Sequence, residues 1–286
     1  MSIGLKDRIL ILGGDERLVE LAKLLTDKGF NVSTFGHESM DNESIMEYRT
    51  LEEGIYENNI IIGPVPFNTG QKINMKLSKK TASLNELCNY MKQDKKLYLG
   101  YPDKDFIEIA KEKDIKYYDY NSDESYQISN AAITAECAIS IILKERSITI
   151  SDSSILLIGY GRIGKILSSY LKAFNPDLYV AARKDTDLNW IRINGYKAIR
   201  IKGIDEIAKS IDVIINTVPR SVISNNTIEK IHRNSLIIDL ASKPGGLDHD
   251  YAIKRGIKTI HALGLPGMVM PKSAAKVIME TIFTLQ

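Results

Sequence analysis

The stretch Ser153–Lys184 constrains this 286-residue chain more than any other. Ile155–Ile158 is an unbroken apolar run, the pattern of a strand buried on both faces of a parallel sheet. Gly159, Gly161 and Gly164 follow at G-x-G-x-x-G spacing, and Ile163, Ile166, Leu167, Tyr170 and Leu171 recur behind them with a helical period. The glycines therefore sit where a strand turns into a helix, and a further strand, Leu178–Ala182, comes next. Gly159 permits the tight turn, Gly161 lets the backbone approach a pyrophosphate, and Gly164 lets helix and strand pack closely. The helix start, with Arg162 and Ile163, offers unpaired N–H groups and the positive end of a dipole to the phosphates. Strand, turn and helix in this order are the context a dinucleotide fingerprint requires.

The end of the second strand bears on which dinucleotide. An acidic residue there would accept hydrogen bonds from the ribose hydroxyls of NAD. Here Val180-Ala181-Ala182 is followed by Arg183 and Lys184, with no carboxylate before Asp185. Two cations at that position suit a 2′-phosphate, which an arginine engages through two parallel hydrogen bonds. The expected cofactor is NADP.

Other classes of function find little support. Lys+Arg 38 against Asp+Glu 36 gives a net charge of +2 without a long basic run, so no nucleic acid or membrane partner is expected. No signal peptide and no apolar stretch of transmembrane length are read. Cys88 and Cys137 match no metal spacing, and His37, His232, His249 and His261 form no ligand-spaced pair, so no metal is expected. A cytoplasmic protein is expected.

The first half repeats the strand–helix alternation. Strands are read at Arg8–Leu12, Asn31–Phe35, Asn59–Ile62, Lys96–Leu99 and Lys116–Tyr120, with helices after Arg17, over Leu84–Met91 and over Phe106–Lys113. Such alternation indicates a doubly wound parallel sheet. Phe67–Ala82 has no clear period and is expected to be a mobile loop. Gly13-Gly14-Asp15 occupies the place of a phosphate loop without spelling the fingerprint, so this half is read as the substrate domain. Ligands of open sheets lie beyond the carboxyl ends of the strands. That rule places Asp15, Arg17, Pro64–Phe67 and Tyr101-Pro102 along one rim, with Gly14, Arg17 and Pro66 as substrate-binding candidates.

A long helical pattern, Gln127–Lys144, links the halves and carries Glu136 in a largely apolar run. A carboxylate there is either functional or turned to solvent, because burying it bare is costly. The second half continues with strands at Ala198–Ile201, Val213–Asn216, Leu236–Leu240 and Lys258–His261. Asn216-Thr217-Val218-Pro219 and Asp239-Leu240-Ala241 leave strand ends where the ribose and nicotinamide of a cofactor would lie. Pro271 suits the first turn of a C-terminal helix, Lys272–Leu285, whose start with Lys272 and Ser273 is a candidate anion site. The expected architecture is α/β: two doubly wound, Rossmann-like parallel-sheet domains joined by a long helix, with the C-terminal helix returning to the first. The boundaries are 1–125 with 271–286 for the substrate domain, 126–150 for the connecting helix and 151–267 for the dinucleotide domain.

Taken together, several motifs give the chain a family resemblance. They are Gly13-Gly-Asp-Glu-Arg17, Thr134-Ala-Glu136, Gly159-Tyr-Gly-Arg-Ile-Gly164, Ala182-Arg183, Asn216-Thr-Val-Pro219, Asp239-Leu-Ala-Ser-Lys-Pro-Gly-Gly246 and Gly264-Leu-Pro-Gly267. The chain resembles the A subunits of dipicolinate synthase over nearly its whole length. It departs from the family's Pro-Thr-Ala-Glu-Gly with Ile133-Thr-Ala-Glu-Cys137. The resemblance implies a fold related to alanine and 2-hydroxy-acid dehydrogenases. It also implies NADP-linked oxidation of a dihydrodipicolinate, or of its hydrated 4-hydroxy-tetrahydro precursor, to the aromatic diacid. A flavoprotein-like B subunit would be the partner, in the mother cell of a spore-forming bacterium, and a homo-oligomer is compatible with it.

A diacid substrate calls for two cationic anchors, assigned to Arg17 and to Lys272 with the C-terminal helix start. Asp15 and Glu136 are the acid/base candidates, with His261 a third. The alternatives are an NADP-linked 2-hydroxy- or 2-amino-acid dehydrogenase and a non-catalytic NADP-sensing module.

Overall fold

A computed structural model describes residues 3–38, 42 and 44–285. The chain divides into two compact units, Met1–Asn130 with Pro266–Gln286, and Ala131–Leu265.

The first unit begins β1 (Arg8–Leu12), α1 (Glu16–Asp27), β2 (Asn31–Phe35), β3 (Met46–Glu47), α2 (Leu51–Glu57) and β4 (Ile60–Ile62). It continues β5 (Asn68–Thr69), β6 (Lys72–Ile73), α3 (Leu84–Tyr90), β7 (Lys96–Leu99), α4 (Lys104–Glu112), β8 (Tyr117–Asp119) and α5 (Glu124–Glu145). Six strands form one parallel sheet in the order β3-β2-β1-β4-β7-β8, while β5 and β6 make a separate antiparallel pair. The central strands are fully apolar, Ile9–Leu12 and Ile60–Ile62, because both faces of the sheet are covered. Odd and even positions feed different cores: Ile9 and Ile11 pack with the α1 residues, whereas Leu10 and Leu12 pack with Leu84, Leu87 and Phe106.

Three elements differ from the sequence reading. The edge strand β3 and the helix α2 have signals too short to stand out, and α2 starts on the Thr50 cap, whose hydroxyl accepts from Glu53 N. The expected mobile loop Phe67–Ala82 is instead ordered. It contains the β5–β6 pair, buries Phe67 and Ile73, and bonds to the turn after β1. Its pattern is illegible because its partners are distant in sequence.

The second unit holds β9 (Ser154–Ile158), α6 (Arg162–Lys172), β10 (Asp177–Ala182), α7 (Asp185–Ile193), β11 (Lys197–Arg200), α8 (Ile204–Ile207) and β12 (Val213–Asn216). Then come α9 (Asn225–Lys230), β13 (Leu236–Asp239), α10 (His249–Lys254) and β14 (Lys258–His261). Its parallel sheet runs β11-β10-β9-β12-β13-β14, the doubly wound order of dinucleotide-binding domains. Leu156, Ile158, Ile214 and Ile237 form one core with Ile204, Ile228 and Ala252 from the covering helices.

The helix α5 runs through Ile133 without a break. Contrary to the sequence reading, α5 is long and apolar enough, by length and composition, to meet the test for a membrane span. Ala131, Ile133, Ala135, Cys137, Ala138 and Ile142 are buried within the protein, as in the core helix of a globular domain.

After α11 (Leu265–Val269), a short helix the sequence did not signal, the chain ends in α12 (Pro271–Thr284). Gln286 lies outside the described residues. Ala275, Ile278 and Ile282 of α12 pack with Leu18, Leu21 and Leu25 of α1, closing one face of the first sheet. Ile278 is fully buried there. Ile278→Ala removes that packing and is expected to lower stability by about 2–4 kcal/mol in urea denaturation.

Candidate functional site

In the second unit the strand order reverses between β9 and β12, and the loops that follow these strands flank the point where open sheets bind ligands. Gly159 there has φ +103°, and a Cβ on it would lie 2.2 Å from Thr217 Oγ1. A Cβ on Gly164 would lie 2.1 Å from Gly159 O, so helix and turn touch at a distance only glycine allows. A Cβ on Gly161 would meet nothing within 4 Å, leaving its backbone open to an approaching group. Gly161 is also the N-cap of α6 and supplies no side-chain cap, so the first N–H groups of that helix stay available to an anion. This bare cradle fits a dinucleotide pyrophosphate.

A cleft of about 420 Å³ opens beside the turn. Gly159, Gly161, Arg183, Lys184, Val218 and Pro219 line it, as the sequence placed them. Tyr160, Asp187, Ile201, Arg220 and Val222 also line it and were missed. Only Arg220 carried a signal, as a cation directly after Asn-Thr-Val-Pro. Arg183 and Lys184 are exposed, and neither forms an ion pair among the described residues, whereas Asp185 is paired with Arg200.

Three of the expected cofactor contacts, Asn216, Asp239 and Ala241, are buried, and Thr217 is half-buried. Asn216 and Asp239 are fully buried, and Asn216 Nδ2 donates to Asp239 Oδ1 (2.7 Å) and to Val218 O (2.9 Å). Asp239 also accepts from Ala241 N and Gly246 N, which folds the loop after β13 around its carboxylate. Thr217 Oγ1 donates to Ile158 O at 2.9 Å, bracing the glycine turn from beneath. Through these bonds Asn216, Thr217 and Asp239 position the loops that line the cleft.

Parallel pairing sets Asp239 opposite His261, and α10 opens with His249, so Asp239, His249 and His261 place three ligand-capable atoms within 4.8 Å of one another. Sequence spacing hid this. The imidazoles are stacked, with centroids 4.4 Å apart and planes at 14°, and stacked rings do not aim their lone pairs at one point. His249 Nε2 lies 3.0 Å from Asp239 Oδ2 and His261 Nε2 3.1 Å from Ala241 O. His261 Nε2 thus donates to a loop carbonyl, and the ring is half-buried.

In the first unit, Asp15 caps α1 and accepts from Arg17 N (3.2 Å), Nε (2.8 Å) and Nη2 (2.8 Å). Arg17 Nη2 donates also to Val65 O (2.7 Å), next to the exposed Pro66. Burial pushes the Asp15 carboxyl up, but the hydrogen bonds and charge of Arg17 outweigh it and hold the group below its ordinary value. Burial likewise pushes Arg17 down, and Asp15 more than offsets it, so the guanidinium remains a cation. Tyr126 beside the guanidinium is pushed up to about 12 by burial. Gly267 closes on this pair so tightly that a Cβ would come within 2.8 Å of Arg17 Nε and 2.9 Å of Asp15 Oδ2. Asp15 is therefore a carboxylate tied to Arg17, a pairing that disfavours it as a proton donor. Gly14, at φ +100°, is covered by Leu18 and Pro64. Lys272 and Ser273 are exposed at the start of α12, and Glu136 is exposed on α5.

Fold and glycine turn define a dehydrogenase-type oxidoreductase whose second unit is a nicotinamide-dinucleotide domain. Residues 139–246 match the NAD binding domain of the D-isomer specific 2-hydroxyacid dehydrogenases. Residues 8–121 match the N-terminal domain of the dipicolinate synthase A subunit. The A subunit of dipicolinate synthase from Bacillus subtilis (strain 168) is 28% identical over 99% of this chain and 96% of its own. The crystal structure of the corresponding protein from Bacillus halodurans superimposes with a TM-score of 0.87 at 26% identity, covering 98% of this chain and 97% of that one. An L-alanine dehydrogenase shares the fold alone, with a TM-score of 0.63 at 10% identity over 96% of this chain and 88% of the other. From end to end, the chain resembles the A subunit of dipicolinate synthase.

Gly164→Ala should abolish measurable dinucleotide binding in a fluorescence titration, because the turn must open to admit the methyl group. Asp15→Asn is expected to cost about 2–3 kcal/mol at neutral pH, since it leaves the Arg17 cation without a counter-charge in a largely buried position. The folded carboxyl titrates below its unfolded value of 3.8, so its contribution is present above that value and is lost as pH falls through the folded one. The gap between Asp15→Asn and the parent should accordingly close in acid denaturation.

Proposed function

We propose that the chain is an NADP-linked dehydrogenase that oxidises a dihydrodipicolinate, or its 4-hydroxy-tetrahydro precursor with loss of water, to pyridine-2,6-dicarboxylate, the hydride passing to NADP and a proton leaving the ring. The observation that carries the reading is the pairing, in one chain, of a dipicolinate synthase N-terminal domain with a dinucleotide domain whose cleft bears unpaired cations. NADP, when bound, supplies the hydride acceptor. The chain's own task is placement, because gain of aromaticity drives the oxidation.

Gly161 and the start of α6 hold the pyrophosphate, and Arg183 with Lys184 holds the 2′-phosphate. Arg17 serves as a permanently charged anchor for one substrate carboxylate, pre-aimed by Asp15 and Val65. Three of its N–H donors are occupied by them, which fixes the plane of the fork. Lys272 and Ser273 at the start of α12 receive the second carboxylate. Glu136, a solvent-facing carboxylate, takes the ring proton. Asp15 acts only through Arg17. The protein works with a flavoprotein-like B subunit in the cytoplasm of a sporulating mother cell.

A second reading, NAD in place of NADP, has one observation in its favour: Asp187 also lines the cleft and could accept from ribose hydroxyls. The test is cofactor reduction with freshly generated dihydrodipicolinate, with and without the B subunit, followed by terbium luminescence of the product. NADP reduction with a luminescent product is expected. A non-luminescent keto acid would point to a 2-hydroxy- or 2-amino-acid dehydrogenase, and binding without turnover to a sensing module. In the same assay Arg183→Ala should raise KM for NADP roughly ten- to hundredfold while sparing NAD, the scale of one charge-assisted contact pair.

A further inference from the structure

We infer that Arg220 is a second clamp on the adenosine 2′-phosphate, reaching the anion from the side opposite Arg183 and Lys184. The inference rests on the NADP reading of the same cleft and deepens it. The strands β10 and β12 flank β9 on its two sides, so the loops after them approach the glycine turn from opposite directions. Arg183 and Lys184 follow β10, Arg220 follows β12, and all three line the one cleft.

What singles out Arg220 is a fixed backbone beneath a free side chain. On one side Asn216 holds Val218 through both backbone groups: Nδ2 donates to Val218 O, and Oδ1 accepts from Val218 N at 3.1 Å. On the other, Val222 N and Ile223 N donate to Gly246 O at 2.9 and 3.0 Å. The intervening Arg220 N donates to Val218 O at 2.9 Å, which tightens the loop at that residue. Asn216, the source of the first constraint, is itself fully buried and tied to Asp239. The base of Arg220 is therefore set by the protein core. Its guanidinium is exposed, and no ion pair or hydrogen bond engages it among the described residues. Among the described residues, Asp187 is the one carboxylate on the cleft lining.

Three cations around a small cleft repel one another and favour a ligand with concentrated negative charge. A phosphomonoester, with close to two charges near neutral pH and three acceptor oxygens, fits that need better than a ribose diol does. Val218 and Pro219, immediately before Arg220, give the same loop an apolar surface suited to the adenine plane.

The test is a fluorescence titration of the full chain with NADPH and with NADH, for the parent, Arg220→Ala and Arg220→Lys. Arg220→Ala should weaken NADPH binding about tenfold and leave NADH unchanged, with part of the loss restored in Arg220→Lys. The difference between parent and Arg220→Ala should shrink as salt rises, because the contact is exposed to solvent. Equal weakening of both cofactors, or of neither, overturns the clamp. A parent protein that prefers NADH overturns the NADP reading itself. That outcome is read from the parent alone and is distinct from failure at Arg220.

Discussion

The approach of Gly164 to the carbonyl of Gly159 is the constraint from which the second unit is built. A methyl group at position 164 would sit 2.1 Å from that oxygen, so the helix can begin against the strand only with hydrogen at this position. The same turn leaves no room above Thr217, whose hydroxyl and backbone N–H both donate to Ile158 O. Contact at the turn thus fixes the start of the loop after β12, and Asn216 fixes its next residues. Steric exclusion at one glycine is passed along a hydrogen-bonded chain to the cleft rim some sixty residues away in sequence.

The first unit shows what the same topology does without that turn. Gly13 and Gly14 occupy the matching place after β1, also with positive φ. There, however, Gly14 N donates to Asn74 O, Lys76 N donates to Gly14 O, and a Cβ on Gly13 would strike Met75 at 2.7 Å. The segment around Met75 covers both glycines. What the turn presents instead is a side-chain pair, Asp15 and Arg17, aimed by the helix cap and by a carbonyl from the loop after β4. One topology therefore yields two kinds of turn according to whether a remote segment covers the glycines.

How much of this was legible follows from what kind of signal each feature leaves. The glycine turn, the buried strands and the cations after β10 are local in sequence, and they were read with boundaries close to those observed. The central strands β1, β4 and β9 are apolar on both faces, which leaves an unbroken run rather than an ambiguous alternation. The β5–β6 pair and its bonds to Gly14 depend on partners far along the chain and left no period to find. Asn216 and Asp239 show a different limit. A polar residue at a strand end reads the same whether it points out to a ligand or in to brace a loop, and only burial separates the two. The His249–His261 stack arises from strand register, and Arg220 gains its meaning from which loops oppose each other.

Charge is handled in opposite ways in the two units, and the contrast follows from desolvation. Arg17 and Asp15 are largely out of water, where an isolated ion is costly, so each is compensated by the other and by hydrogen bonds. Such a pair contributes orientation more than field, because its net charge is zero. Arg183, Lys184 and Arg220 remain in solvent, where an unpaired cation costs little, and their charges add. Asp187 is the one carboxylate on the same lining among the described residues, so the cleft keeps a net positive charge. A buried neutral pair sets geometry; an exposed uncompensated cluster selects charge.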